Sequence, residues 1–401
     1  MRNIPYLVLL AAALGCHDRS EVSTEPAGGL AEHGSSPRYR VVAYSSTLGG
    51  RVNVATSINS RGRLAGFSDL GTEPTRHAVL WGRGGNVQDL GTLGGPNSNV
   101  QWPGQNDWGM VVGISETAEL DPHGEPWSCT AFFRDPSHPT GHVCRGFAYY
   151  DGRMHELPTL GGTHGFATAA NNRGQVVGWA ETTVQDPTCN GEQVLQFRAV
   201  LWQPKKDRHR ELPPLRGDST SAATAINDRG QAVGISGDCD VAVGQLSARN
   251  MVLWEHGKAK RIPDLGGKAW NTPMDIYERG EVVGFSNPRT IPGIEFQPFG
   301  FVWSKGKGTR KLPPLEGDVF SQAYAINGHG LIVGRSCGAT CRAVIWKNRR
   351  PLDLNTLIGS YPHVLTAARD VSDAGVIAGN LVKQGTDTSY AFVAIPHQGV
   401  R

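Results

Sequence analysis

Short apolar runs of strand length alternate along the chain with turns of glycine, asparagine and aspartate. One stretch shows the pattern. Ala222-Ala223-Thr224-Ala225-Ile226 leads into Asn227-Asp228-Arg229-Gly230, and Gln231-Ala232-Val233-Gly234 follows. Asn and Gly tolerate the positive φ of a tight hairpin, so the segment predicts strand, turn, strand. The turn recurs seven times. Its anchor glycines are Gly62, Gly109, Gly174, Gly230, Gly280, Gly330 and Gly375, spaced 47, 65, 56, 50, 50 and 45 residues apart. Tyr277 and Ser372 replace the leading Asn in two copies. This is the period of propeller blades, longer than that of most helical repeats.

Two further elements complete each copy. An apolar stretch usually ends in tryptophan, as in His77-Ala78-Val79-Leu80-Trp81 and Arg342-Ala343-Val344-Ile345-Trp346. A Leu-x-x-Leu segment then follows, often with proline between the leucines. Proline suits an outer strand, where a missing N–H costs little. Each copy therefore predicts four strands. Small residues in the first suit a crowded axis, and Trp and Leu suit packing between blades. The seventh copy stops after its third strand, near Ile395, and a spare strand lies at Arg38 to Leu48. The expected fold is all-β: a seven-bladed propeller closed by its N-terminal strand. An open solenoid is the alternative, and it leaves the displaced strand unexplained.

The Leu-Gly-x-Leu-Gly-Gly stretches, the Asn-x-x-Gly turns and the (His/Arg)-Ala-Val-Leu-Trp strands resemble the HAF-type extracellular repeat proteins of bacteria. His77-Ala78-Val79 is the nearest match to that family's naming motif. The resemblance covers roughly residues 45 to 395. It implies the repeat architecture and an extracellular setting, and no defined activity.

The N-terminus changes the picture. Arg2 precedes an apolar run from Ile4 to Leu14, too short to span a bilayer. Ala13-Leu14-Gly15-Cys16 resembles a bacterial lipoprotein signal, with Ala13 where Leu is commoner. The resemblance implies cleavage before Cys16 and lipidation there; secretion without a lipid is the alternative. Residues 1–15 then form a signal peptide, 16–37 a flexible tether and 38–401 the propeller. His17 after the lipid Cys favours the outer membrane. The expected location is the cell envelope.

Composition narrows the partners. The formal net charge is +3, with no long basic run, which argues against a dedicated nucleic-acid binder. The expected partners are a protein or polysaccharide ligand, with membrane contact through the lipid alone, and the expected state is a monomer. Six cysteines remain, all in the connections between second and third strands. An oxidising compartment predicts disulfides. The preferred pairs are Cys129–Cys144, Cys189–Cys239 and Cys337–Cys341, out of fifteen arrangements. A zinc site is the rival, without a recurring Cys-x-x-Cys or a suitably spaced His.

No nucleophile elbow or phosphate-binding loop is present. No cofactor, metal or catalytic residue is assigned. The second-to-third connections vary greatly in length, and with the fourth-to-first connections they share one face. Variable loops on a rigid scaffold are where binding resides. The ligand-binding candidates start the first strands: Arg51, Asn97, His164, Asp218, Trp270, Asp318 and His363. Trp127, Phe133 and Arg134 join them from the longest insertion. Ordinary packing of the rim is the competing account of each. Two functions follow. One is a non-catalytic binding propeller. The other is a glycan hydrolase or lyase using carboxylates such as Asp218, Asp318, Asp238 and Asp240 at the axis mouth.

Overall fold

A computed structural model describes residues 38–71, 75–125, 129, 131–133, 140–189, 193–241, 244–288 and 296–397. Seven four-stranded antiparallel sheets form a ring, a seven-bladed β-propeller. Blade 4 is representative, with strands Thr220–Ile226, Ala232–Gly237, Asn250–Glu255 and Lys258–Ile262 in spatial order. Blades 1 to 6 follow this order. Blade 7 consists of His363–Val371, Ile377–Lys383 and Ser389–Pro396, and its outer strand is Tyr39–Tyr44. Tyr39 pairs with Pro396 and Tyr44 with Ala391, so the predicted closure is present.

The repeat motif has a separate physical reason for each glycine. The first closes the hairpin with φ near +75°, as at Gly62 (φ +73°) and Gly230 (φ +78°). The second lies opposite a bulge in the first strand. A Cβ at Gly66 would come within 1.9 Å of the Val54 carbonyl oxygen, and one at Gly234 within 2.0 Å of the Ala222 oxygen. That glycine is demanded by a close approach between strands, not by its φ.

The leading asparagine does two jobs. Asn171 Oδ1 accepts the N–H groups of Arg173 and Gln175, which fixes its own turn. Its Nδ2 donates to the Asn227 carbonyl in the next blade. Asn106 to Asn171, Asn227 to Tyr277 and Asn327 to Ser372 repeat the link. The turns thus form a hydrogen-bonded crown around the axis. Farther out, tryptophan joins the blades. Trp202 is buried, and its Nε1–H donates to the Pro158 carbonyl of the preceding blade at 2.8 Å. Trp81, Trp254 and Trp346 do the same to Ser46, Pro213 and Pro313. The prolines of the outer segments therefore supply acceptors while lacking donors of their own. Apolar clusters fill each gap between blades, for example Val177, Leu201, Ala223 and Val252 between blades 3 and 4.

Candidate functional site

Strand alternation defines two faces. The short Asn-x-x-Gly turns and the third-to-fourth hairpins lie on one. The long second-to-third connections and the fourth-to-first connections lie on the other, the loop-rich face.

The loop-rich face is braced across blades 2, 3 and 4. Disulfides join Cys129 to Cys144, Cys189 to Cys239 and Cys337 to Cys341, the three pairs expected. The second links the loops of blades 3 and 4. Between blades 2 and 3 the link is Glu125, whose carboxylate accepts the N–H groups of Val194 and Leu195. Burial and the neighbouring Glu181 push the Glu125 carboxyl up to about 6. Disulfides of this kind belong to an oxidising, exported setting.

The insertion of blade 2 does not leave an open funnel. Phe132 folds onto the axis, edge-on to Phe166 at 4.8 Å and to Trp102 at 5.5 Å. Trp179 packs behind them against Phe166 and Phe197. Phe133 is buried in the same cluster. The loop-rich mouth of the axis is therefore plugged with aromatic side chains.

The first-strand candidates have the following places. Asn97 is buried; its Oδ1 accepts the Arg76 N–H of blade 1, and its Nδ2 donates to Glu116. His164 occupies the matching position one blade on, where its Nδ1 accepts the Cys144 N–H at 3.1 Å. Both cap a third strand where no fourth strand reaches it. Asp218 and Asp318 belong to a second device. Ser236 accepts the Leu215 N–H and donates to Asp218 at 2.6 Å. Ser336 makes the same pair of bonds with Leu315 and Asp318. Ser68 with Asn53 and Ser286 with Asn271 form the neutral versions. Asp318 is also paired with Arg342 at 3.1 Å. Asp238 pairs with Arg249, and Asp240 accepts N–H groups of Val241 and Leu246 within its own loop. Trp270 is buried edge-on to Phe296 at 5.0 Å. His363 lies against Tyr361, and exposed Arg51 meets Asp387 at 2.9 Å. Trp127, Arg134 and Cys16 lie outside the described residues.

One cluster has the residue types of a metal site. Asp121, Glu125 and His164 place ligand atoms within 4.8 Å of one another. The hydrogen bonds argue against that use. A histidine whose Nδ1 accepts an N–H carries its proton on Nε2 when neutral. His164 Nε2 therefore holds the proton; it lies 3.4 Å from Asp121 Oδ2 without a hydrogen bond to it and is not free to ligate a metal. Burial opposes a charged imidazole, while Asp121, Glu181 and Glu125 favour one and raise its affinity for a proton. The Cys144 N–H leaves no room for that second proton. At the neighbouring group of Glu116, Cys129 and Cys144, the sulfurs are joined in a disulfide and offer no thiolates.

Sequence reasoning missed two features. The first is a cavity of about 230 Å³ where the axis opens on the short-turn face, lined in part by Asp275 and Asp370. Each aspartate caps backbone donors of two blades. Asp275 accepts the N–H groups of Ile276 and Ile326, and Asp370 those of Val371 and Ile58. Burial raises the Asp275 carboxyl to about 7, and nearby Asp370 adds to the shift; burial raises Asp370 to about 6. Sister blades carry Ala169, Ala225 and Ala325 at this position, a signal visible by aligning the repeats. The second is a set of exposed aliphatic side chains on the loop-rich face: Leu120, Val184, Val319 and Val364. Leu120 is the most exposed of them, at 69%. Long strands carry the first two outward, Val111–Leu120 and Val176–Gln185.

No protein-family model and no curated protein sequence matches the chain. Several solved structures align with the chain at low identity. An oligogalacturonate lyase in complex with manganese aligns over 91% of this chain and 97% of its own, at 11% identity and a TM-score of 0.47. An acylaminoacyl peptidase of Pyrococcus horikoshii aligns over 84% of this chain and 52% of its own, at 8% identity and a TM-score of 0.46. The chain thus spans about half the length of that peptidase. The propeller domain of the trilobed protease of Pyrococcus furiosus aligns over 72% and 79%, at 10% identity and a TM-score of 0.40.

Proposed function

We propose that this is an exported, non-catalytic propeller of the cell envelope that binds a protein or polysaccharide on its loop-rich face. The carrying observation is the exposed aliphatic set, Leu120, Val184, Val319 and Val364, on a face braced by disulfides and the Glu125 link. Exposed apolar side chains on a rigid frame suit recognition at little ordering cost. Membership of the HAF-type repeat family and a lipid on Cys16 are part of the same proposal.

Less supports a glycan hydrolase or lyase using Asp218, Asp318, Asp238 and Asp240. Asp218 and Asp318 form blade clasps, and aromatic rings fill that mouth of the axis. Asp275 and Asp370 give a carboxyl-based reading its one specific support, at the opposite mouth.

The test is a glycan and cell-wall array with residues 38–401, reading retention and product release together. Retention without cleavage supports binding. Release of product that persists in Asp218→Asn and Asp318→Asn and stops in Asp275→Ala moves the function to the short-turn mouth.

A further inference from the structure

The chain is nearly neutral overall, yet its cations are unevenly placed. The third-to-fourth hairpins lie on the short-turn face, at its outer rim. In blade 3 the hairpin exposes Lys205, Lys206 and Arg208. In blades 4 and 5 it exposes Lys258, then Lys305 and Lys307. In blade 6 it exposes Lys347, Arg349 and Arg350. Arg83 and Arg153 continue the rim through blades 1 and 2. The acids in the same hairpins are few: Asp151, Asp207 and Glu255. Lys205 meets Asp151 at 3.9 Å, and Lys260 meets Glu255 at 2.6 Å. The rest of the rim carries a surplus of positive charge. The acids of the inner crown, such as Asp107 and Asp228, accept N–H groups of the preceding blade nearer the axis.

We infer that this cationic rim docks the propeller flat against an anionic phospholipid surface. Three features favour a bilayer. The charges form a broad arc around the perimeter and not a groove, which matches a plane. Trp108 stands 69% exposed on the same face, and tryptophan is at home at the level of lipid headgroups. The chain also enters the ring here. Tyr39, which begins the closing strand, pairs with Pro396 at the short-turn end of blade 7. That orientation rests on the proposed lipid at Cys16, which would hold this side toward the membrane. A lipid and a polybasic surface together give the two signals that stable anchoring needs. The ligand-binding face then points away from the bilayer.

The experiment uses residues 38–401, which contain every strand of the ring and all three disulfides, so no lipid contributes. Its co-sedimentation is measured with phosphatidylcholine vesicles, with and without phosphatidylglycerol, at low and high salt. The expected result is binding to the anionic vesicles alone, weakened by salt. It falls at least about tenfold in the variant Lys305→Glu/Lys307→Glu/Arg349→Glu/Arg350→Glu. Lys268→Glu, on the opposite face, leaves it unchanged. A melting profile like that of the unaltered protein shows that the reversed variant is folded. The proposal is overturned by equal binding to neutral vesicles, by no binding to anionic ones, or by a folded rim variant that binds as well as before. It is also overturned if an acidic polysaccharide is retained by the rim while vesicles are not. Acyl labelling of Cys16 in the full chain tests the anchor separately. Its failure would leave the vesicle result standing.

Discussion

Asp275 accepts the backbone N–H of Ile326 at 2.9 Å, so one half-buried carboxylate spans the boundary between blades 5 and 6. Asp370 does the same for Ile58 of blade 1 at 2.7 Å. Burial outweighs these bonds in both cases and favours the protonated acid.

A pH dependence follows. The raised carboxyls of Asp275, Asp370 and Glu125 bind protons more readily in the folded chain than in the unfolded one. Stability contributed by these groups is then greatest below about pH 4, falls as pH rises from about 4 to about 7, and levels off above that. Asp121, lowered to about 2, acts only below that window. Melting temperature measured from pH 5 to pH 8 should decline. Asp275→Ala/Asp370→Ala should flatten the decline and fold normally, since sister blades carry alanine there. An unchanged slope in that variant contradicts the assignment.

The serine clasps predict a structural role for two acids. Asp218→Ala should destabilise by about 1 to 3 kcal/mol, because Ser236 and the Asn250 amide lose their acceptor. Ligand retention should persist once the variant is folded. Urea denaturation measures the first effect and the binding array the second.

The paired glycines should respond differently to alanine. Gly230→Ala meets a positive φ and open space apart from Gln175 at 3.5 Å, so it should cost about 1 kcal/mol. Gly234→Ala puts a Cβ 2.0 Å from the Ala222 carbonyl oxygen, where strand pairing must break. Its loss should be several-fold larger, read as a fall in soluble yield or melting temperature.

The disulfides should differ by the chain they close. Cys189–Cys239 encloses 50 residues and Cys337–Cys341 only 4. Loop-closure entropy gives about 4 kcal/mol for the first and about 2 kcal/mol for the second. Replacing each pair by serine and comparing denaturation midpoints checks the order.

Much of this architecture was legible from the repeat. The blade count and the closing strand at Tyr39–Tyr44 follow from the spacing of the repeat, while the even cysteine count predicts disulfides and leaves fifteen pairings open, of which the preferred set is the one found. The site was less legible, for a physical reason. Asn97 and His164 look like free rim residues until the neighbouring blade supplies the N–H groups of Arg76 and Cys144 that they cap. Phe132 lies in an insertion with no counterpart in other blades, so nothing in the repeat indicates that it fills the axis. Asp275 and Asp370 stand out against alanine in sister blades, but a substitution inside a strand shows no depth or partner until the ring closes.

The loop-rich face is proposed to bind a ligand without cleaving it. The most direct measurement compares residues 38–401 with Leu120→Asp/Val184→Asp on one cell-wall and glycan array, with product release monitored. The account predicts that the unaltered domain retains a ligand intact and that the folded double variant loses at least about tenfold in retention. Cleavage of the retained ligand, or full retention by the double variant, would contradict it.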